Sequence, residues 1–156
     1  MVEADIFLTI INLMMVTIEI DITPQGAVRS NGKNSMYHPT KGPRLKRYVK
    51  YKKDLAFLMK INKIGNLPGE IEGLTFMMPI PNPAVGSKKV REEKLSRIGN
   101  PHQMKPDFDN LIKPVLDASG KDDSHVWRCG EMKKIWTEFG NGKIIITLKE
   151  EYVLSL

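Results

Sequence analysis

The sequence has one cysteine, Cys129, so no disulfide framework can form within a chain, and the lone thiol fits a reducing compartment. It also lacks a hydrophobic run of the ~20 residues that a membrane-spanning helix needs. The apolar stretch in MVEADIFLTIINLMMVTI is shorter, and Glu3 and Asp5 stand where a secretory signal carries positive charge. The expectation is a cytoplasmic protein that is neither exported nor membrane-inserted. No glycine-rich phosphate loop, no Ser/His/Asp arrangement at a recognised local spacing and no His- or Cys-rich ligand set is present. P-loop chemistry, a serine nucleophile and a zinc site therefore find no support.

Acids are scarce where bases are dense. Nine basic residues and no acid lie between Arg29 and Lys53, and six basic residues face only Glu92 and Glu93 between Lys88 and Lys105. The whole chain carries +6, so its remainder is net acidic. Charge separated in this way suits a surface that meets phosphates, although solvated lysine-rich faces give the same pattern.

At 156 residues with 41% hydrophobic content, the chain is long enough for one domain with its own core. Residues 16–150 read as that domain, residues 1–15 as an apolar extension (an added strand or helix, or the product of an upstream start) and residues 151–156 as a tail. Ile18, Ile20 and Ile22 alternate with Thr17, Glu19 and Asp21, a half-buried strand. A polar basic loop through NGKNSMYHPTKGP follows. From Arg44 to Ile61 the pattern is helical, with Tyr48, Tyr51, Leu55 and Leu58 on one stripe and Lys46, Lys50 and Lys53 opposite. A second strand holds Leu74, Phe76 and Met78. Residues 84–106 read as a long loop with a short charged helix from Lys88 to Ser96. A helix follows over Asp107–Ala118, burying Phe108, Leu111, Ile112 and Val115, and Pro114 within it predicts a kink or a shortened regular part. Met132–Phe139 and Lys143–Lys149 read as strands joined in a hairpin by Gly140-Asn141-Gly142. The order β-α-β-α-β-β predicts an α+β fold, a small mixed sheet of about four strands with two main helices packed on it.

Against the basic background, KPDFDNLIKPVLDASGKDD gathers five acids between Lys105 and Asp123. Asp107 and Asp109 lie about 200° apart on a regular helix, but Asp107 is a favourable N-cap, and a cap residue does not follow the helical wheel. Asp109, Lys113 and Asp117 are spaced i, i+4, i+8 along one stripe, and Asp122 and Asp123 return after the turn at Gly120. Carboxylates in this number suit Mg²⁺, which takes hard oxygen ligands and leaves positions for water and a phosphate oxygen. Lys113 beside such an ion is placed to neutralise charge on a phosphate or orient a water. The same acids also fit a helix dipole, and Asp109 with Lys113 fits an ordinary surface ion pair.

The run KPDFDNLIKPVLDA followed by KDDSHV resembles the central motif of the RusA-type Holliday-junction resolvases, with Asp107, Asp109, Asn110, Leu111, Lys113, Asp117, Ala118, Asp122, Asp123 and Val126 in place. SKKVREEKLSRIGNPHQMKPD is similar to the loop before that motif, and PQGAVRS to the early proline-rich turn, so the resemblance covers most of residues 16–149. It implies a homodimeric, Mg²⁺-dependent endonuclease, with Mn²⁺ as a substitute, that nicks four-way DNA junctions symmetrically. It implies metal-binding carboxylates at Asp107, Asp109 and Asp123, with Lys113 as the catalytic lysine. Asp117 and Asp122 are further acids of less defined role. The residues before 16 have no counterpart in the pattern, and Pro114 departs from a good helix former.

For phosphate contacts the sequence nominates Lys88, Lys89, Arg91, Lys94, Arg97 and Lys105, with Lys46, Lys50 and Lys53 second. Two other readings stand beside the nuclease: a non-catalytic nucleic-acid-binding protein, and a metal-dependent phosphohydrolase of small nucleotides.

Overall fold

The computed structural model describes residues 14–28, 42–120 and 123–154, together with Glu3 and Asp5. The apolar run of residues 6–13 and most of the polar basic loop before the first helix lie outside the described residues. Along the chain come β1 (Met15–Ile20), α1 (Gly42–Ile61), β2 (Glu70–Pro79), α2 (Lys88–Ser96), α3 (Phe108–Ala118), a 3₁₀ turn (Asp123–His125), β3 (Arg128–Thr137), β4 (Lys143–Lys149) and the short α4 (Glu150–Leu154). The tail expected after residue 150 thus contains a helical turn, and the Glu150 N–H donates to the Met14 carbonyl at 2.6 Å. No helix among the described residues is long and apolar enough to cross a membrane.

The strands form one mixed sheet in the order β1-β4-β2-β3, the α+β arrangement predicted. In β4 every second residue is buried, Ile144, Ile146 and Leu148. The same period buries Leu74, Phe76 and Met78 in β2 and Ile20 in β1, which gathers the apolar side chains on one face. Helices α1 and α3 pack together and join that core, α1 through Tyr48, Tyr51, Leu55 and Met59 and α3 through Leu111 and Val115. The opposite face is mixed, with Met77 and Ile145 among polar pairs: Lys143 pairs with Glu19 at 3.0 Å, Lys149 with Glu70 at 2.9 Å, and the hydroxyls of Thr17 and Thr147 meet at 3.3 Å.

The Gly140-Asn141-Gly142 hairpin does not form. β2 lies between β3 and β4, parallel to the first and antiparallel to the second, so residues 138–142 step across a strand rather than close a two-strand ladder. Two strand spacings are about 10 Å, within reach of five residues. The glycine signal has another cause at Gly142, where a Cβ would lie 2.6 Å from Thr23 Cα. β2 and β4, which bury Leu74, Phe76, Met78, Ile144, Ile146 and Leu148, take the two inner positions, where both edges of each strand are paired.

Residues 84–106 carry more structure than a loop. After α2, Gly99 donates to the Trp136 carbonyl, Trp136 to that of Asn100 and His102 to that of Lys134, all at 2.9–3.0 Å. Pro101 bridges Ile135 in antiparallel sense. This segment covers part of the free edge of β3, and the His102 ring stacks on Trp136 with centroids 4.1 Å apart.

Within the core the Tyr51 hydroxyl is buried, and burial pushes its pKa up to about 12 against the opposing effect of the Gln25 backbone. The unfolded chain releases this proton near pH 10 and the folded chain near 12, so stability attributable to the group is intact below pH 10 and lost as pH climbs towards 12. Tyr51→Phe removes both the buried hydroxyl and the titration. The expected result is an unchanged or slightly raised thermal midpoint at pH 7, with a shallower fall between pH 10 and 12, measured by circular dichroism.

Candidate active site

The acids predicted to cooperate sit around the start of α3. Asp107 is its N-cap, with φ −72° and ψ 161°, and its backbone carbonyl accepts from the Leu111 N–H at 3.1 Å. Its carboxylate makes no capping hydrogen bond. An N-cap aspartate ordinarily bonds the second or third helical N–H; here the side chain is exposed and makes no such bond.

Two attachments set where that cap lies. The Lys134 ammonium, from β3, donates to the carbonyls of Met104 at 2.8 Å and Pro106 at 2.9 Å and sits 5.4 Å from the centroid of the Phe108 ring. Pro114 supplies the second. It lacks the N–H that would bond the Asn110 carbonyl four residues earlier, and that carbonyl accepts instead from the Ala27 N–H at 2.7 Å. The proline does not shorten α3, which runs unbroken over Phe108–Ala118 with Pro114 buried. The proline instead opens a docking point for residues 24–28. Gly26 completes the fit: a Cβ there would lie 2.7 Å from Pro106 Cβ.

These contacts frame a groove of about 500 Å³ whose lining includes Asp107, Asn110, Arg44, Arg47, Lys105 and Tyr48. Asp109, in the first turn of α3, is exposed. One turn on, the Lys113 ammonium donates to the Asp117 carboxylate at 3.1 Å. Tyr48 connects the two sets. Its pKa is raised by burial and then by the Asp117 charge, and Lys113 opposes both, while the Lys52 ammonium lies 5.1 Å from its ring centroid.

Of the remaining acids, Asp122 lies outside the described residues and Asp123 is described in its backbone alone, as the first residue of the 3₁₀ turn. That turn packs against α3. Among the described residues, no three acidic, His or Cys side chains converge closely enough to hold a metal ion. The described donors at the start of α3 are carboxylates, hard oxygen ligands of the kind Mg²⁺ and Mn²⁺ take.

The nominated cations fall into separate groups. Lys88, Lys89 and Arg91 are exposed on α2. Lys94, on the same helix, is committed to the carbonyls of Asn82 and Val85 at 3.0 and 2.7 Å. Arg97 pairs with Glu93 at 2.9 Å and lies 5.4 Å from the centroid of the Trp136 ring. These two pin the arm that carries the others. Lys46, Lys50 and Lys53 are exposed on α1, with Lys50 paired to Asp54, and none of the three lines the groove. Arg44 and Arg47 do, although they are not among the cations nominated from the sequence. Their signal is the helical spacing that puts them beside Tyr48 and Tyr51 rather than on the lysine stripe. Tyr48 itself reads as core in the sequence and is also a wall of the site.

Lys134→Met keeps the aliphatic stem and deletes both bonds to the 104–106 segment. Hydrogen bonds to a charged group contribute about 1.5–3 kcal/mol net, and less where water reaches the group. The expected outcome is a stability loss of about 1–3 kcal/mol in urea titration, with faster amide exchange at residues 104–108. Unaltered exchange there would show that the ammonium does not hold the segment.

Comparison with known proteins identifies the family. The family model described as endodeoxyribonuclease RusA matches residues 19–149, a span that contains every described element from α1 to β4 and the whole groove. No curated protein matches the chain. The chain therefore belongs to the RusA family of Holliday-junction-resolving endodeoxyribonucleases, hydrolases that act on DNA.

Proposed function

We propose that this chain is a Mg²⁺-dependent resolvase, with Mn²⁺ as a substitute, that acts in the cytoplasm as a homodimer and nicks four-way junctions symmetrically. The observation that carries the reading is the N-cap of α3, where Asp107 keeps its carboxylate out of the cap and in a groove with three cations. Asp107 and Asp109 are two of the metal-holding carboxylates. Asp123 is the third, on a turn packed against the same helix.

When bound there, Mg²⁺ supplies positive charge that polarises a phosphoryl oxygen and lowers the pKa of a water. The chain does the rest. Asp107 and Asp109 present carboxylate oxygens at the start of α3, on backbone fixed by Lys134 and Ala27. Lys113 brings a cation to the phosphate, where negative charge grows as the bond to the leaving oxygen breaks. Asp117 holds that ammonium from the next turn and limits the rotamers it samples. Asp122, next to Asp123 in the sequence, is a further acid of the motif. Lys88, Lys89 and Arg91 contact phosphates away from the cut, reading duplex shape rather than base edges. Two strands of like polarity must be cut in a junction, and a two-fold dimer provides two equivalent sites.

Asp109→Asn and Asp123→Asn are each expected to bring Mg²⁺-dependent nicking of a synthetic four-way junction to background while junction binding in a gel-shift assay persists. Lys113→Ala should slow single-turnover nicking by about a hundred- to a thousandfold. Undiminished nicking by both aspartate variants would remove the metal assignment.

Neutralising Lys88, Lys89 and Arg91 together is expected to weaken binding to every DNA shape and flatten the logarithmic salt dependence by about 0.9 for each phosphate left without its cation. A slope equal to that of the unmodified protein would take α2 away from the DNA.

A further inference from the structure

The groove beside Asp107 holds more positive charge than the metal reading uses. Arg44 and Arg47 project from the first two turns of α1, Lys105 precedes the cap of α3, and all three are exposed. None of them has a carboxylate partner among the described residues, whereas Lys50 and Lys113 on the same helices do. Three cations against one carboxylate leave the groove two charges positive. Its volume, about 500 Å³, lies within the range of about 300–1,000 Å³ usual for small-molecule sites.

The walls favour a phosphodiester over a free-standing anion. Residues 24–28 form one side, pinned by the bond from the Ala27 N–H to the Asn110 carbonyl, and Tyr48 adds a phenol ring. Two guanidinium groups three residues apart on one helical face suit paired hydrogen bonds to non-bridging phosphate oxygens.

We propose that Arg44 and Arg47, with Lys105 at the rim, bind the DNA phosphate next to the one that is cut. This subsite rests on the nuclease reading for its position but not for its chemistry. Bound there, a phosphate sets the register of the strand, so that the neighbouring phosphate falls at Asp107 and Asp109. Arg44 and Arg47 are positioning residues in this scheme and take no part in the bond that breaks.

The test uses junctions in which a methylphosphonate removes the charge of one phosphate, placed in turn at each position flanking the cut, with binding measured in Ca²⁺ and without cleavage. For the unmodified protein, one flanking position is expected to weaken binding about tenfold. Arg44→Gln/Arg47→Gln is expected to weaken binding to the unmodified junction at least as much and to become indifferent to that same methylphosphonate. Arg44→Lys/Arg47→Lys, which keeps the charge, should recover part of the affinity. Additive effects at every position, or undiminished affinity in the glutamine variant, would overturn the subsite. Since binding alone is read, a failed nuclease assignment leaves this coupling measurable, and absent coupling beside intact nicking overturns the groove and nothing else.

Discussion

The ammonium of Lys134 reaches from β3 to the carbonyls of Met104 and Pro106, and the place of the first candidate carboxylate follows from those two bonds. Asp107 comes directly after this segment, at a helix cap whose side chain is not consumed by capping. A long connection between β2 and α3 would leave such a residue wandering. Here the connection is laced to the edge of β3 by Gly99, Asn100 and His102, then clamped by a charged donor. Burial and the Lys134 charge both lower the pKa of His102, so near neutrality it packs on Trp136 as an uncharged ring and adds no second cation to the clamp.

The other side of the site depends on a deficiency. Pro114 costs α3 one internal hydrogen bond, and the carbonyl it releases is the one that holds Ala27. One residue that weakens a helix thereby attaches a loop, and that loop becomes a wall of the cationic groove. Gly26 and Pro106 meet within the same contact, so the early proline-rich turn and the acidic motif, far apart in the chain, form one surface. Tyr48 lies beneath it and senses the charges of Asp117 and Lys113.

Much of this could be read before the fold was known. The alternation in KIIITLK marks the buried face of β4, and the stripe of Tyr48, Tyr51 and Leu55 marks the docking face of α1. The charged helix over Lys88–Ser96 appears with those bounds. The expected pairing of β3 with β4 fails, because a glycine-rich turn reports that the chain bends and not which strand it bends towards. The cations divide differently from expectation for a related reason. Lys94 and Arg97 resemble Lys88 and Arg91 in sequence, and only their neighbours, two carbonyls for one and Glu93 with Trp136 for the other, show that they serve the arm itself.

By itself the sequence determined the local terms: which residues alternate, which segments coil, where acids and bases concentrate, and a motif specific enough to indicate a family. Those depend on spacings of a few residues, which the chain carries wherever it goes. Tertiary structure decided which strand occupies the centre of the sheet, that the Asn110 carbonyl left by Pro114 belongs to Ala27, and that Arg44 and Arg47 share a groove with Asp107 while the lysines opposite do not. Each of these joins parts of the chain many residues apart, and such contacts are selected by the packing of the whole core, a quantity no local pattern contains.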